Sequence, residues 1–226
     1  MFDRDHGIIV SCDSSSKERL KQIISATCGI DGIVGYKIGF SIALGIGLGN
    51  ATEIVKEECG MPVIYDHQKA GNDIPAMGAK FAEAMKDAGV DSAILFPFTG
   101  AETEKIWIAA LQKNGIAPMV GGEMTHPDFF DYINDAAPEK IYSAASLMGV
   151  EFFVVPGTKP ERMKEISGSF PGKKFCFPGI GTQGGDLAKA FESIDGPSYA
   201  IIGSAICDSA KPAESAKAFA SISKRF

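Results

Sequence analysis

No two of the five cysteines (Cys12, Cys28, Cys59, Cys176, Cys207) form a C-x-x-C pair, and none of their spacings suits zinc. A zinc ribbon and a dithiol redox centre are therefore excluded, and the cysteines read as reduced, mostly buried thiols of a cytoplasmic protein. Long apolar runs are missing too. The opening MFDRDHGIIV carries acids and reads as neither a signal peptide nor a membrane span. Positive charge is in deficit, with a net charge of −6, so no nucleic-acid partner and no anionic membrane surface is expected. A phosphate ligand stays open, because backbone N–H groups and one or two cations make such a pocket locally. There is no Pro/Ser-rich linker, low-complexity tract or composition shift, and residues 1–226 read as one domain.

What the chain does have is 45% hydrophobic and 22% charged residues, ordinary for a soluble globular protein with a sizeable core. Eight short apolar runs recur: GIIVSCD (7–13), GIVGYKIGF (32–40), MPVIYD (61–66), SAILFPF (92–98), APMVGGEM (117–124), FFVVPG (152–157), KKFCFPGI (173–180) and SYAIIGSA (198–205). Several are nearly continuous Val, Ile and Phe, as parallel strands covered by helices require. Between them lie segments of helical period. SSSKERLKQIISATCG begins with serines suited to N-capping and ends at Gly29. IPAMGAKFAEAMKDAG has Pro75 near its start, Met77, Phe81, Ala84 and Met85 on one side, and Gly89 at its end. AETEKIWIAALQKNG, GGDLAKAFESIDG and KPAESAKAFASISKRF repeat the pattern. No fixed consensus returns, which argues against a solenoid. Eight strand–helix alternations predict an α/β fold, a single (β/α)8 TIM barrel, with a doubly wound open sheet as the alternative.

In a barrel, reactive groups come from the carboxyl ends of strands and the loops that follow. The polar residues gather there: Asp13 ends the first strand, Lys37 sits late in the second, Asp66 ends the third, and Lys69 and Asp73 follow at once. Alternating carboxylates and ammonium groups compensate one another and deliver a proton where one is needed. Taken singly, Asp13 and Asp73 also read as helix caps. Lys37, flanked by Tyr36 and Ile38 in an apolar strand, requires a partner. PGIGTQGGD (178–186) is a glycine-rich turn between the seventh strand and a helix, suited to phosphate oxygens with the helix N-terminus behind it. His67 and His126 read as hydrogen-bonding loop residues. Cys12 reads as pointing outward, toward the helices, and Trp107 as core.

Taken together, these segments resemble the orotidine 5′-monophosphate decarboxylase family of the ribulose-phosphate-binding barrel superfamily. The likeness runs almost end to end: Asp13, Lys37-Ile38-Gly39, Asp66, Lys69, Asp73-Ile74-Pro75, Met124-Thr125-His126-Pro127, VVPGTKPERM and PGIGTQGGD. A sister branch, the keto-gulonate-phosphate decarboxylases and hexulose-phosphate synthases, shares the barrel but matches the Ile-Pro, THP and QGGD segments less well.

The resemblance implies cofactor-free and metal-free decarboxylation of orotidine 5′-monophosphate (OMP) to uridine monophosphate (UMP) and CO2, a step of pyrimidine biosynthesis. Asp13 and Lys37 would hold the ribose. Asp66 would crowd the departing carboxylate, and Lys69 would stabilise and protonate the C6 carbanion. Asp73 would enter the site of the other subunit of a homodimer. Thr125 would touch the pyrimidine and Gln183 would bridge pyrimidine and phosphate. Pro178, Gly181, Thr182, Gly203 and Ser204 would complete the substrate site. Two departures stand out. Asp66 and Lys69 are three residues apart where the family has two, so both face the substrate only through a bulge or turn, for which Gly71 and Asn72 are suited. Gly203-Ser204 stands where the family has Gly-Arg, leaving Ser204, backbone amides and Lys159 as candidates for the phosphate. The alternative readings are a Mg²⁺-dependent sugar-phosphate decarboxylase or lyase and a non-catalytic nucleotide-binding homologue.

Overall fold

Each of the eight apolar runs forms a strand, and in chain order they are β1 (His6–Cys12), β2 (Ile33–Gly39), β3 (Val63–Asp66), β4 (Ser92–Leu95), β5 (Ala117–Gly121), β6 (Phe152–Val154), β7 (Lys174–Phe177) and β8 (Ser198–Ile202). The computed structural model describes all of residues 1–226 except 14–15, 68–69 and 182–183. Every strand pairs in parallel with its sequence neighbours, and β8 returns to β1 with His6 beside Ser198 and Val10 beside Ile202. The sheet is thus a closed barrel rather than an open doubly wound one. The sequence runs overreach at their carboxyl ends, where the chain leaves the ladder to form the loops that carry polar groups.

The helices are α1 (Lys17–Thr27), α2 (Phe40–Ile46), α3 (Leu48–Cys59), α4 (Met77–Asp87), α5 (Ala101–Lys113), α6 (Ala137–Leu147), α7 (Pro160–Ser169), α8 (Leu187–Glu192), α9 (Ser204–Cys207) and α10 (Pro212–Ser223). Ser16 caps α1, its hydroxyl accepting from the Arg19 amide at 3.2 Å. Gly29 follows the end of α1 with φ +74°. In α4 the buried face is Gly78, Ala82 and Met85, with Met77 and Phe81 half-buried. Ala84, expected on that face, is exposed.

Side-chain alternation divides the apolar residues into two cores. Ile9, Val34, Ile64, Ile94, Met119, Phe152, Val154, Cys176, Tyr199 and Ile201 fill the barrel. Phe2 packs on Phe152 and Tyr199 at its amino-terminal end, with ring centroids 5.6 and 4.5 Å away. A larger layer, including Ile8, Val10, Ile38, Phe153 and Phe177, lies between strands and helices. Cys12 belongs to it, as its orientation in β1 predicts. A hydrogen bond with Cys207 and burial hold its thiol well above the usual range, so it is no nucleophile. Trp107 is buried against Phe81, with ring centroids 5.0 Å apart.

One cysteine expectation is overturned. Cys28 and Cys59 form a disulfide, with Cα atoms 5.7 Å apart, joining the ends of α1 and α3. The packing of these helices brings together two cysteines 31 residues apart, which their spacing does not reveal. Cys12, Cys176 and Cys207 are free and buried. Among the described residues, no helix is long and apolar enough to cross a membrane.

In the first turn of α5, Glu104 is only 2% exposed, and its Oε1 has no hydrogen-bond partner among the described residues. Burial pushes its carboxyl up to about 8, with Lys105 pulling weakly the other way. The folded chain therefore holds a proton that the unfolded chain releases from the ordinary value of 4.5 upward. Stability contributed at this site falls as pH rises through that window. Glu104→Gln, which does not titrate, is expected to melt above the parent at about pH 8 and to lose that advantage near pH 4. Thermal melts across the range check this; an equal offset at both ends would remove Glu104 as the titrating group.

Candidate active site

Every residue of β2 is buried, and Lys37 is the one charge among them, 6% exposed. Register places it beside Ser11 of β1 and Ile64 of β3. Its Nζ lies 2.7 Å from Oδ2 of Asp66, itself 4% exposed, and 3.8 Å from Oδ2 of Asp13. The Ser11 hydroxyl donates to the same Asp13 oxygen at 2.9 Å. Burial pulls the Lys37 ammonium toward deprotonation, but Asp66 and Asp13 outweigh it and the net shift is upward. Lys37 is thus a fixed positive charge at neutral pH. Gly39 faces this array, and a Cβ there would overlap the Asp13 carboxylate. The capping alternative for Asp13 is set aside by geometry, since Ser16 caps α1.

Two cavities meet at the carboxyl end of the barrel, sharing Lys37, Pro178 and Ile201 in their walls. The inner one, about 130 Å³, is walled by Asp66, Phe96, Glu123, Met124, Thr125 and His126. The outer one, about 310 Å³, is walled by Ser11, Asp13, Arg19, Gly179, Gly203 and Ser204. The structure thus brings Asp13, Lys37, Asp66, Thr125, Pro178, Gly203 and Ser204 to the walls of these two cavities. Asp73 stands apart. It is exposed, accepts from the Ile74 amide at 2.6 Å, and lines a separate groove with His67, Asn72 and Trp107. Lys69, Thr182 and Gln183 lie outside the described residues.

A turn at Ala70 and Gly71 follows Asp66, and the orientation of Lys69 lies outside the described residues. Gly71 has φ +93° and packs on Pro97. Asn72 donates to the Phe96 carbonyl at 2.6 Å and accepts from the Phe98 amide at 2.8 Å, tying this loop to the one after β4. The glycine-rich turn folds on itself through Gly184 N–H to Gly181 O (2.9 Å) and Gly185 N–H to Gly179 O (3.2 Å). Gly181, at φ +88°, lies against Ala205. Asp186 caps the helix behind this turn, accepting from the Ala188 and Lys189 amides.

Three site residues were not singled out by sequence. Ser11 supports Asp13. Glu123, 3% exposed, accepts from Lys159 Nζ and Arg162 Nε, each at 2.8 Å, and anchors the Met124–Thr125 segment. Lys159 is thereby committed to Glu123, and it is Arg19 that lines the outer cavity with Ser204. A basic residue in the first turn of a helix, against the helix dipole, is a signal by which sequence reading could have found Arg19. His67 bonds the Tyr65 hydroxyl at 2.6 Å, and His126 packs edge-on to Phe129. Among the described residues, no three His, Cys, Asp or Glu side chains converge as a metal requires.

A profile described as the orotidine 5′-phosphate decarboxylase / HUMPS family matches residues 7–219. The orotidine 5′-phosphate decarboxylase of Pyrococcus furiosus is 34% identical over 201 residues, covering 88% of this chain and 90% of that one. Its counterpart in Methanococcoides burtonii is 30% identical over 218 residues, with 96% of each chain covered. The crystal structure of the Methanocaldococcus jannaschii orotidine 5′-monophosphate decarboxylase with the inhibitor BMP superposes with a TM-score of 0.87. The two are 28% identical, and the match covers 97% of this chain and 99% of that one.

Removing one partner of a buried ion pair costs about 3–5 kcal/mol. Lys37→Met is expected to lose stability on that scale in urea unfolding, and adding Asp66→Asn to recover part of it. A loss below about 1 kcal/mol, the range of surface pairs, would show that the pair is not energetically buried.

Proposed function

The chain belongs to the orotidine 5′-phosphate decarboxylase / HUMPS family, and we propose that it decarboxylates orotidine 5′-monophosphate to UMP and CO2. The observation that carries this reading is the buried Lys37–Asp66 pair, with Asp13 at its solvent edge, where two cavities join, one sized for a ring and one for a ribose phosphate. The relatives named above support the substrate, and one of them is in complex with the inhibitor BMP.

In this reading the pyrimidine occupies the inner cavity against Thr125, and the ribose hydroxyls meet Asp13 and Lys37. Asp66 faces the carboxylate at C6. When the bond from C6 to that carboxylate breaks, its electron pair stays on C6 and CO2 leaves. Lys69, three residues on, stabilises this carbanion and then gives it a proton. Lys37 stays charged throughout, so its part is to hold Asp66 and the ribose in place. Preorganised charge does the chemistry, Gln183 bridges pyrimidine and phosphate, and binding energy from the remote phosphate is turned to catalysis. Gly181, Gly203 and Ser204 complete the phosphate end. Asp73, turned away from its own barrel mouth, reaches the site of a second subunit.

Incubation with orotidine 5′-monophosphate in EDTA, followed by the fall in ultraviolet absorbance, tests the reaction. Turnover is expected in the parent and none in Lys69→Ala, while that variant still binds UMP. Undiminished turnover in the variant removes Lys69 from the chemistry. Activity abolished by chelation redirects the search to Mg²⁺-dependent sugar-phosphate chemistry, and UMP binding without turnover to a non-catalytic role. The shared site has its own test. Mixing inactive Lys69→Ala with inactive Asp73→Ala is expected to restore about a quarter of parental activity, because each mixed dimer of a randomly reassorted pool regains one intact site. No recovery on subunit exchange argues that each site is built from one chain.

A further inference from the structure

We propose that Arg19 is the cation that grips the substrate's phosphate, an assignment that rests on the nucleotide reading above. Arg19 lines the outer cavity with Pro178, Gly179 and Ile180 after β7 and Gly203 and Ser204 after β8. Loops after the seventh and eighth strands are where such barrels hold phosphate. Its guanidinium is held by neutral acceptors, the Cys207 carbonyl and, at 3.4 Å, Gln22 Oε1. No carboxylate among the described residues lies within ion-pair distance of it. By contrast, Arg4 is paired with Asp31, and Arg162 with Glu123, Glu139 and Glu165. The charge of Arg19 is therefore available to an anion entering the cavity.

The other cations nearby are committed. Lys37 serves Asp66 and Asp13, and Lys159 serves Glu123. Helix stability does not explain Arg19 either, since a cation in the first turn of α1 opposes the helix dipole. The contact with the Cys207 carbonyl bridges α1 to α9, fixing the guanidinium beside the turn that presents Ser204. Asp208, in the same wall, is exposed and disfavours a phosphate placed beside it. A planar guanidinium with several N–H donors is suited to phosphate oxygens. The consequence is specificity: this site should prefer a phosphorylated nucleoside to the free nucleoside through Arg19.

Calorimetric titration of the whole protein with UMP and with uridine tests this, using Arg19→Gln and Arg19→Lys, with thermal melts to establish folding. Glutamine keeps an N–H for the Cys207 carbonyl while removing the charge. Arg19→Gln is expected to bind UMP about tenfold to a hundredfold more weakly with uridine affinity unchanged, and Arg19→Lys to recover part of the difference. An undiminished preference for UMP in Arg19→Gln overturns the assignment. So does an equal fall for UMP and uridine, which marks a purely structural role. A parent that does not prefer UMP to uridine fails the nucleotide reading itself, and that result is read before any variant is made.

Discussion

A lysine ammonium buried in the middle of a barrel strand dictates much of the surrounding geometry. A lone charge removed from water is too costly to keep, so Lys37 requires carboxylates within a few ångströms. The strand on one side supplies Asp13 and the strand on the other supplies Asp66, at 3.8 and 2.7 Å. This works only if β1, β2 and β3 pair in the observed register, with Lys37 level with Ser11 and Gly39 level with Asp66. It also works only if residue 39 has no side chain, because the Asp13 carboxylate occupies that space. The same register that closes the barrel thus assembles the array, and the apolar filling below it seals the charges from the amino-terminal end.

The two cavities divide the work that a phosphorylated ring compound demands. The inner one borders Asp66 and is bounded on its far side by the Glu123–Lys159–Arg162 network. Glu123 is as deeply buried as Asp66, but its charge is satisfied from α7 and the residue before it, so it fixes a loop rather than facing the ring with free charge. The outer cavity opens on solvent, and flexible contacts there cost less than they would around the reacting carbon. Binding at a remote group and chemistry at a buried one is the arrangement by which remote binding energy is turned to catalysis.

The barrel was legible because continuous Val/Ile/Phe runs separated by helical periods leave few other solutions. Lys37 was legible for a local reason: an apolar strand with one lysine poses an electrostatic problem visible in the sequence itself. Asp13 and Asp66 followed from their places at strand ends, and Thr125, Pro178, Gly203 and Ser204 from the family resemblance. Arg19 and Glu123 did not, because their significance depends on which neighbours the tertiary fold leaves them. The Cys28–Cys59 disulfide escaped for the same reason, since helix packing set the distance. Asp186 closes the glycine-rich segment as the cap of the following helix, a place for which its residue type is suited.

Charge balance connects these residues. Around Lys37 stand two carboxylates for one ammonium, so the array carries an excess of negative charge before any substrate arrives. Bringing in a ligand with a carboxylate and a phosphate adds more of the same sign, and a low-dielectric mouth magnifies the repulsion. Two further positive charges are then needed, one near each anionic group of the ligand. In the proposed reading Lys69 meets the first, at the carbon that loses CO2, and Arg19 meets the second, at the far end of the outer cavity. The repulsion between Asp66 and the substrate carboxylate is relieved when uncharged CO2 leaves, whereas the attraction at the phosphate is unchanged by the reaction. A site so divided weakens its hold on the ground state at one end while keeping the ligand bound at the other, which is the differential binding that catalysis requires.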